Sequence, residues 1–364
     1  MVQRRDFNLA ATAAMGGLAG CTPATGAASY EQAVADTWRH GRPGASEAAG
    51  LQHELVRYAT LAPSSHNTQC WKFRLAEGGI DILPDLSRRC PAVDPDDHHL
   101  FVSLGCAAEN LVQAALAHGL RGEVDFDTTL QALRVRLEPT PAVATPLFQV
   151  IPDRQCTRGD YDGQPLSPGD LALLQQAGSG PGVQLLLLTE RALMERTLDF
   201  VLQGNTAQMN DPAFVDELKA WIRFSGSDAV RTGDGLYAAS SGNPSLPAWL
   251  GRPMFGLFFT TAAENDKYAR QLRSSAGIAV FAGGAADAAH WVEVGRCVER
   301  FALQATALGV RSAMLNQPVE VAALRAPFAS AIGLGARRPD LVLRFGRGPK
   351  LPPSLRRPLQ AVLV

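Results

Sequence analysis

Phe101 to Arg121 reads FVSLGCAAENLVQAALAHGLR, and 190 residues further on Trp291 to Arg311 reads WVEVGRCVERFALQATALGVR. Laid over one another without a gap, they agree at Val102/Val292, Gly105/Gly295, Glu109/Glu299, Ala115/Ala305, Ala117/Ala307, Gly119/Gly309 and Arg121/Arg311, 7 of 21 positions. Two Ala-rich helices share roughly two or three by composition alone. Each stretch reads as a long, mostly buried helix, over 99–118 and 291–308, closed by a glycine at a C-cap position. In both, a second glycine stands 14 residues before that cap. Self-similarity at a fixed offset predicts that one structural unit occurs twice.

The flanks carry similar ingredients on both sides. Leu51, Leu55, Tyr58 and Leu61 have helical spacing and end at the Ala62-Pro63-Ser64-Ser65-His66-Asn67 break. Trp71, Phe73 and Leu75 alternate with polar residues, and Gly78-Gly79 separates them from Ile80 and Ile82, a β-hairpin pattern. Residues 132–137 alternate as a strand, and Pro139, Pro141 and Pro146 mark a connector. In the second half, 167–178, 189–209 and 214–224 read as helices, and 183–188, 277–281 and 341–345 as strands. The chain is thus an α+β protein. Its 364 residues correspond to about two domains at ~150 residues each.

Composition narrows the function classes. Hydrophobic residues make up 46% and charged residues 19%, which excludes a disordered tail or a collagen. A formal charge of −1 leaves none of the basic excess that a nucleic-acid footprint requires. Six cysteines are too few for a disulfide scaffold, and no pair has CxxC spacing, so no metal site is expected. Arg4-Arg5-x-Phe7, the apolar small-residue run from Ala10 to Gly20, and Leu18-Ala19-Gly20-Cys21 follow in the order of an export signal. The arginine pair resembles a twin-arginine signal, and Leu-Ala-Gly-Cys resembles a bacterial lipobox, in which the cysteine becomes the lipidated first residue. Residues 1–20 are therefore read as the signal and 21–46, rich in Ala, Gly, Pro, Thr and Ser, as a flexible tether. The expected location is periplasmic or at the cell surface. A lipid at Cys21 would be the membrane contact, since the run is too short to span.

Three segments resemble the nitroreductase family. Ala62-Pro63-Ser64-Ser65-His66-Asn67-Thr68-Gln69-Cys70-Trp71 is similar to its Pro-Ser-Ser/Ala-x-Asn-x-Gln-Pro-Trp turn, with Cys70 in the usual Pro position. Arg154-Gln155-Cys156-Thr157-Arg158 is similar to its Arg-x-Ser/Thr-x-Arg element, with Cys156 in the hydroxyl position and Thr157 beside it as an alternative donor. Met314-Leu315-Asn316-Gln317-Pro318 after the second long helix, and Arg356-Arg357-Pro358 near the end, are similar to the turn along the flavin and to the basic tail. Guanidinium groups suit a phosphate because they bind it bidentately. Short hydroxyl and amide side chains bond a polar ring edge without filling its space.

The resemblance spans roughly 50–364, with gaps around 122–147 and 190–265, and is strongest to the Acg-like branch, in which two nitroreductase domains are fused. It implies a three-layer α/β/α sandwich with mainly antiparallel sheet, in two fused copies (47–148 and 149–364) that form an intramolecular dimer. It implies FMN, held by Ser64, Ser65, Asn67, Gln69, Arg154, Arg158, Met314, Asn316, Gln317 and Arg356. The first half has the Ser/Asn turn without an Arg-x-x-x-Arg element, and the second has the reverse. One composite site is therefore expected, its pseudo-symmetric mate being degenerate, in a monomer. The implied activity is flavin-mediated reduction of nitroaromatic or quinone-like acceptors, with no catalytic residue singled out. The electron donor is NAD(P)H, a membrane quinol or an electron-transfer protein. A flavin-sequestering protein with little turnover and an inactive structural lipoprotein are the alternatives. Trp221-Ile222-Arg223 and Gly233-Asp234-Gly235-Leu236 are read as a core tryptophan with a Gly-rich turn, against a lid over the flavin.

Overall fold

The computed structural model describes residues 29–41 and 48–364; the expected export signal over 1–20 and Cys21 lie outside the described residues. The first sheet has the order β1-β2-β4-β3, all antiparallel, with β1 Trp71–Ala76, β2 Gly79–Pro84, β3 Leu120–Asp127 and β4 Ala132–Pro139. The second has the order β5-β8-β10-β9, also antiparallel, with β5 Gln184–Leu188, β8 Gly277–Ala282, β9 Arg311–Met314 and β10 Leu341–Gly346. Helix α2 (Ala48–Thr60) precedes β1, and α3 (His98–Ala117) joins β2 to β3. Short α4 (Pro146–Gln149) lies in the connector. Helix α5 (Pro168–Ala177) precedes β5, and α11 (Ala288–Ala307) joins β8 to β9. Element order and strand order are the same in the two sheets.

The second sheet differs by two insertions. Helices α6 (Arg191–Met209), α7 (Pro212–Trp221), α8 (Gly226–Thr232), α9 (Ala248–Phe258) and α10 (Thr261–Arg273) lie between β5 and β8, with the two-residue parallel pair β6 (Ile222–Arg223) and β7 (Leu236–Tyr237). Helices α12 (Gln317–Glu320) and α13 (Ala322–Ala331) lie between β9 and β10.

The period-2 pattern shows which faces are buried. On the first sheet, Phe73, Ile80, Ile82, Leu133 and Val135 face the core. The opposite face carries ion pairs such as Arg134–Asp81 (3.1 Å) and Arg136–Glu123 (3.2 Å). On the second sheet every residue of β8 and β10 is buried. Ala279 and Phe281 pack towards α11, while Ile278, Val280 and Ala282 join Leu198, Val201 and Phe328 of α6 and α13 in a separate core. Helices therefore cover both faces of the second sheet, whereas the first sheet turns a charged face to water.

Helices α3 and α11 lie between the sheets and cross at their matched glycines. A Cβ on Gly105 would stand 2.0 Å from the carbonyl oxygen of Val292, and one on Gly295 would stand 2.0 Å from that of Val102. The contact is reciprocal at the 190-residue offset, the geometry of an isologous two-fold interface. Cys106 Sγ donates to Gly295 O (3.2 Å) at the same crossing.

Two segments depart from the sequence reading. The tether assigned to 21–46 is helical over Tyr30–Thr37 (α1), capped by Ser29. Tyr30, Ala33 and Val34, at helical spacing, pack on Tyr237 and Leu355. The C-terminal segment, assigned with the second half, returns to the first sheet: Phe73 N donates to Val362 O (2.8 Å) and Val364 N to Phe73 O (3.0 Å). Val362 is buried in the core under that sheet, while Leu355 packs with Tyr237 and Ala229.

Because backbone carbonyls stand in the way, Gly105→Ala and Gly295→Ala are each expected to destabilise the protein by about 2–3 kcal/mol, the upper range for overpacking. Equilibrium unfolding in urea measures this. Variants as stable as the parent would show that the crossing is not tight.

Candidate functional site

The Pro63–Gln69 turn lies where the two halves meet. His66, Asn67 and Gln69 all have left-handed backbone, with φ of 49°, 53° and 55°. Such conformations cost about 1 kcal/mol or more each and persist only where surroundings enforce them. Here the enforcement comes from the second half. Asn67 donates through Nδ2 to Gly235 O (2.9 Å) and Leu355 O (3.1 Å) and accepts from Arg356 at 2.9 Å. Gln69 donates to Gly233 O (2.8 Å) and accepts from Arg357 N (2.8 Å). Ser64 Oγ accepts from Gln69 N (2.9 Å).

Two connected cavities flank this turn and share Pro63, Ser64, Arg158 and Leu236. The larger, about 190 Å³, is lined from the first half by Ser64, Ser65, His66, His99, Ser103 and Cys106, and from the second by Met314, Asn316, Gln317, Glu320 and Tyr268. The smaller, about 60 Å³, is lined by Asn67, Arg154, Cys156, Arg158, Ser240, Ser354, Arg356 and Trp38. A third, apolar cavity of about 530 Å³ opens beyond Arg158, Leu236 and Tyr268 towards Phe224, Met254 and Phe255.

The sequence-predicted residues thus converge, with different duties. Ser64, Ser65, Met314, Asn316, Gln317 and Arg158 border the larger cavity. Gln69 is fully buried and borders neither cavity; its amide is spent on the 233 and 357 backbone, so it clamps the tail and does not face a ring. Asn67 borders the smaller cavity, but its side chain is likewise held by backbone and by Arg356. Asn316 Oδ1 accepts from Val342 N (3.0 Å). Segment 154–158 is extended, with Cys156 bridged to Ser312 of β9, so that Arg154, Cys156 and Arg158 share one side. Thr157 points away and its Oγ1 donates to Gln155 (3.3 Å). Trp221 is partly buried under the guanidinium groups of Arg88 and Arg223, both paired with Asp234.

The arginines are unequally committed. Arg154 Nε lies 3.1 Å from Glu299, and its NH2 donates to Leu61 O (2.8 Å). Arg356 donates to the carbonyls of Thr60, Leu61 and Ala62 and stacks 4.7 Å from the Trp38 ring. The Arg158 guanidinium has no hydrogen bond or ion pair among the described residues, its backbone carbonyl accepting from Gln271 (2.7 Å), and it borders all three cavities. Three guanidinium groups therefore face one carboxylate. Burial holds Arg356 down at about 9, with Arg154 adding to the effect, and pushes Glu299 up to about 7 against the pull of Arg154. A phosphate dianion is the charge this pocket lacks.

The larger cavity also has unmatched polar groups. His66 Nδ1, both ring nitrogens of His99 and Gln317 Oε1 are buried without a hydrogen-bond partner. Buried polar atoms rarely stay unpaired, so the cavity fits a polar heterocycle. A flavin mononucleotide suits both ends, with its phosphate towards Arg154, Arg158 and Arg356 and its ring between the Ser64 turn and Asn316–Gln317. Asp94, His98 and His99 gather ligand-type atoms within 4.8 Å. Asp94, however, spends both oxygens on the amides of His99 and Leu100, at 3.0 and 2.9 Å.

At the 190-residue offset the lining changes character. His99, Ser103 and Cys106 correspond to Ala289, Glu293 and Arg296. Glu293 and Arg296 pair at 2.9 Å, and Arg296 and Arg300 close on Glu109 at 3.3 and 2.8 Å. An ion-pair cluster stands where the first copy has small residues.

The sequence reading missed His66, His99, Glu299, Glu320 and Tyr268. Adjacent histidines after the acidic Asp94–Asp97 stretch were the available signal for His99; nothing in the motif spacing pointed to Glu299 or Glu320.

Glu299 binds a proton more tightly in the folded chain than in the unfolded one. That contribution is complete below the ordinary carboxylate range and is lost as pH rises through about 7. Glu299→Gln removes it. The parent's stability relative to this variant should fall by at most about 3 kcal/mol between pH 4.5 and 8. Urea unfolding of both proteins across that range checks it, and a difference that does not change with pH contradicts it.

No family model matches the chain. Two curated proteins from two strains of Mycobacterium tuberculosis, each named a "Putative NAD(P)H nitroreductase", are 28% identical to it over 327 residues, 85% of this chain and 90% of theirs. A solved structure of a "putative nitroreductase" from Anabaena variabilis covers 87% of this chain and 91% of its own, at 10% identity and a TM-score of 0.44. A nitroreductase with bound FMN from Desulfitobacterium hafniense covers 59% of this chain and 96% of its own, at 15% identity and a TM-score of 0.38.

Proposed function

We propose that this chain is an FMN-binding oxidoreductase of the nitroreductase type, formed by an internal duplication, with one flavin held between its halves. The observation that carries the reading is Arg158, a cation whose guanidinium has no partner among the described residues, at the junction of a three-arginine pocket and a cavity of unmatched polar groups. Sequence likeness to the mycobacterial relatives over most of both chains supports it. When bound, the flavin supplies the redox chemistry, accepting and passing on a hydride. The chain's own residues do the rest. Arg154, Arg158 and Arg356 neutralise the phosphate. The Ser64–Ser65 turn and Asn316–Gln317 fix the ring, and the small Ser103 and Cys106 leave it room. Acceptors of the nitroaromatic or quinone class would enter beside Tyr268 and Phe259, which also border the apolar cavity.

The purified protein should hold one FMN per chain. Arg158→Ala should weaken FMN binding by about 10- to 100-fold, the loss of one charge-assisted phosphate contact, and should leave riboflavin binding within about 3-fold. Absorbance of released flavin and fluorescence titration measure both. Two flavins per chain, or equal losses for FMN and riboflavin, would refute the phosphate assignment. NADPH oxidation coupled to a nitro acceptor distinguishes turnover from flavin storage, and a chain that binds no flavin would be the inactive lipoprotein.

The address at the N-terminus belongs to the same proposal. Arg4-Arg5-x-Phe7 and Leu18-Ala19-Gly20-Cys21 support twin-arginine export of a folded, flavin-loaded chain and a lipid anchor at Cys21. Mass spectrometry of the native N-terminus is expected to find an acylated Cys21; an unprocessed Met1 in the native host would contradict it.

A further inference from the structure

His99 lies in the first turn of α3 and borders the 190 Å³ cavity, yet neither of its ring nitrogens has a hydrogen-bond partner. It is 3% exposed, and Asp94 anchors the backbone amide that positions it. The atom facing Nδ1 is Oε1 of Glu320, at 3.8 Å from the last residue of α12. Glu320 borders the same cavity, and its other oxygen accepts from Gln208 Nε2 at 2.6 Å. The histidine and the carboxyl group thus meet inside the cavity, and the Gln208 contact leaves both His99 ring nitrogens without a hydrogen-bond partner among the described residues.

We propose that His99 and Glu320 are the proton-delivering pair of this cavity. The proposal rests on the FMN reading. The flavin hydride carries two electrons and one proton to the acceptor, and one further proton is needed. His99 releases its Nε2 proton to the acceptor and takes the Glu320 proton at Nδ1, leaving a carboxylate that solvent reprotonates. A quinone then becomes a quinol. A nitro group becomes a nitroso group as one N–O bond breaks and the oxygen leaves as water. The 3.8 Å separation must close for the transfer, as catalytic contacts do when a ligand binds. Burial raises the Glu320 pKa, which favours its carboxyl form.

The charged and titratable groups around the pair come from every neighbouring element. His98 and Asp94 flank it on α3 and the preceding turn, His66 and Arg158 stand across the cavity, and Glu217 of α7 approaches from the side. Behind His98 lie Asp340, Arg338 and Arg325. Burial lowers the pKa of both histidines that flank His99: His66 falls to about 4, and His98 falls well below its ordinary value. His98 does not line the cavity, and no carboxyl group faces a ring nitrogen of His66 among the described residues, so neither forms a second such pair there.

The test compares His99→Gln, Glu320→Gln and Glu320→Asp with the parent as FMN-loaded full-length chains. Flavin content and thermal unfolding should match the parent. Reoxidation of the reduced flavin by a quinone or nitro acceptor should slow by about 10²-fold in the two Gln variants, the lower end for general acid catalysis, and by less in Glu320→Asp. Reoxidation by ferricyanide, which takes electrons without a proton, should stay within about 3-fold of the parent. On the flavin-free protein at one fixed pH, NMR of isotope-labelled histidine should show the His99 Nδ1 signal moving in Glu320→Gln, since the group that faces that nitrogen has changed. Quinone and nitro rates equal to the parent's in His99→Gln, or equal slowing with ferricyanide, would overturn the proposal while leaving the flavin reading intact. If the parent binds no flavin, the FMN reading fails, and a His99 Nδ1 signal unmoved by Glu320→Gln overturns the pair independently.

Discussion

Everything in this molecule is organised around a place where two helix backbones touch. Gly105 and Gly295 each present a bare Cα to a carbonyl of the other helix, at a separation that a methyl group would close to 2.0 Å. Helix pairs ordinarily sit about 8–10 Å apart because side chains intervene. Removing the side chains at the crossing brings α3 and α11 together, which sets the distance between the two sheets. One continuous core then runs from Leu55 and Tyr58 through Leu104 and Ala108 to Phe301 and Phe345.

The site is a consequence of that crossing. One turn of α3 from Gly105, Val102, Ser103 and Cys106 line the cavity, and the C-terminal segment passes behind the Ser64–Gln69 turn to bring Arg356 beside Arg154. The charges there are poorly balanced. Two buried arginines share Glu299, whose own carboxyl is raised to about 7, and Arg158 has no described partner. A pocket of this kind costs folding energy, since buried charge is expensive unless paired; a phosphate bound there would offset that cost. At the equivalent positions on α11, Glu293 and Arg296 neutralise each other. The same backbone geometry therefore supports one anion site and one closed ion-pair cluster.

Much of this was legible in the sequence. The 190-residue offset located both long helices and the glycines at which they cross, because backbone contact tolerates no other residue there. The hairpin at 71–84 followed from alternation, and the strands near 184, 277 and 341 from short apolar runs. Strand β3 was not read, since Gly122, Glu123 and Asp125 dilute its pattern, and its counterpart in the second sheet, β9, is only four residues long. Helix α1 was hidden in a small-residue stretch, where Tyr30, Ala33 and Val34 gain their role only from contact with Tyr237 and Leu355. Motif spacing brought Ser64, Arg154, Arg158 and Gln317 to one place. It did not distinguish residues that face the cavity from those, such as Gln69, that hold the turn in shape. That distinction depends on the 233–235 loop and the tail, which are far away in sequence. Glu320 and His99 were illegible for the same reason: they are neighbours only after α12 docks beside α3.

The central claim is that one flavin phosphate sits among arginines of the second half while its ring rests on a turn of the first. A crystal structure of the full chain grown with FMN tests it directly. The account predicts a single flavin whose phosphate contacts Arg158 together with Arg154 or Arg356, and whose ring lies between Ser64–Ser65 and Asn316–Gln317. A flavin at the Glu293–Arg296 cluster, two flavins in one chain, or a phosphate away from Arg158 would contradict it.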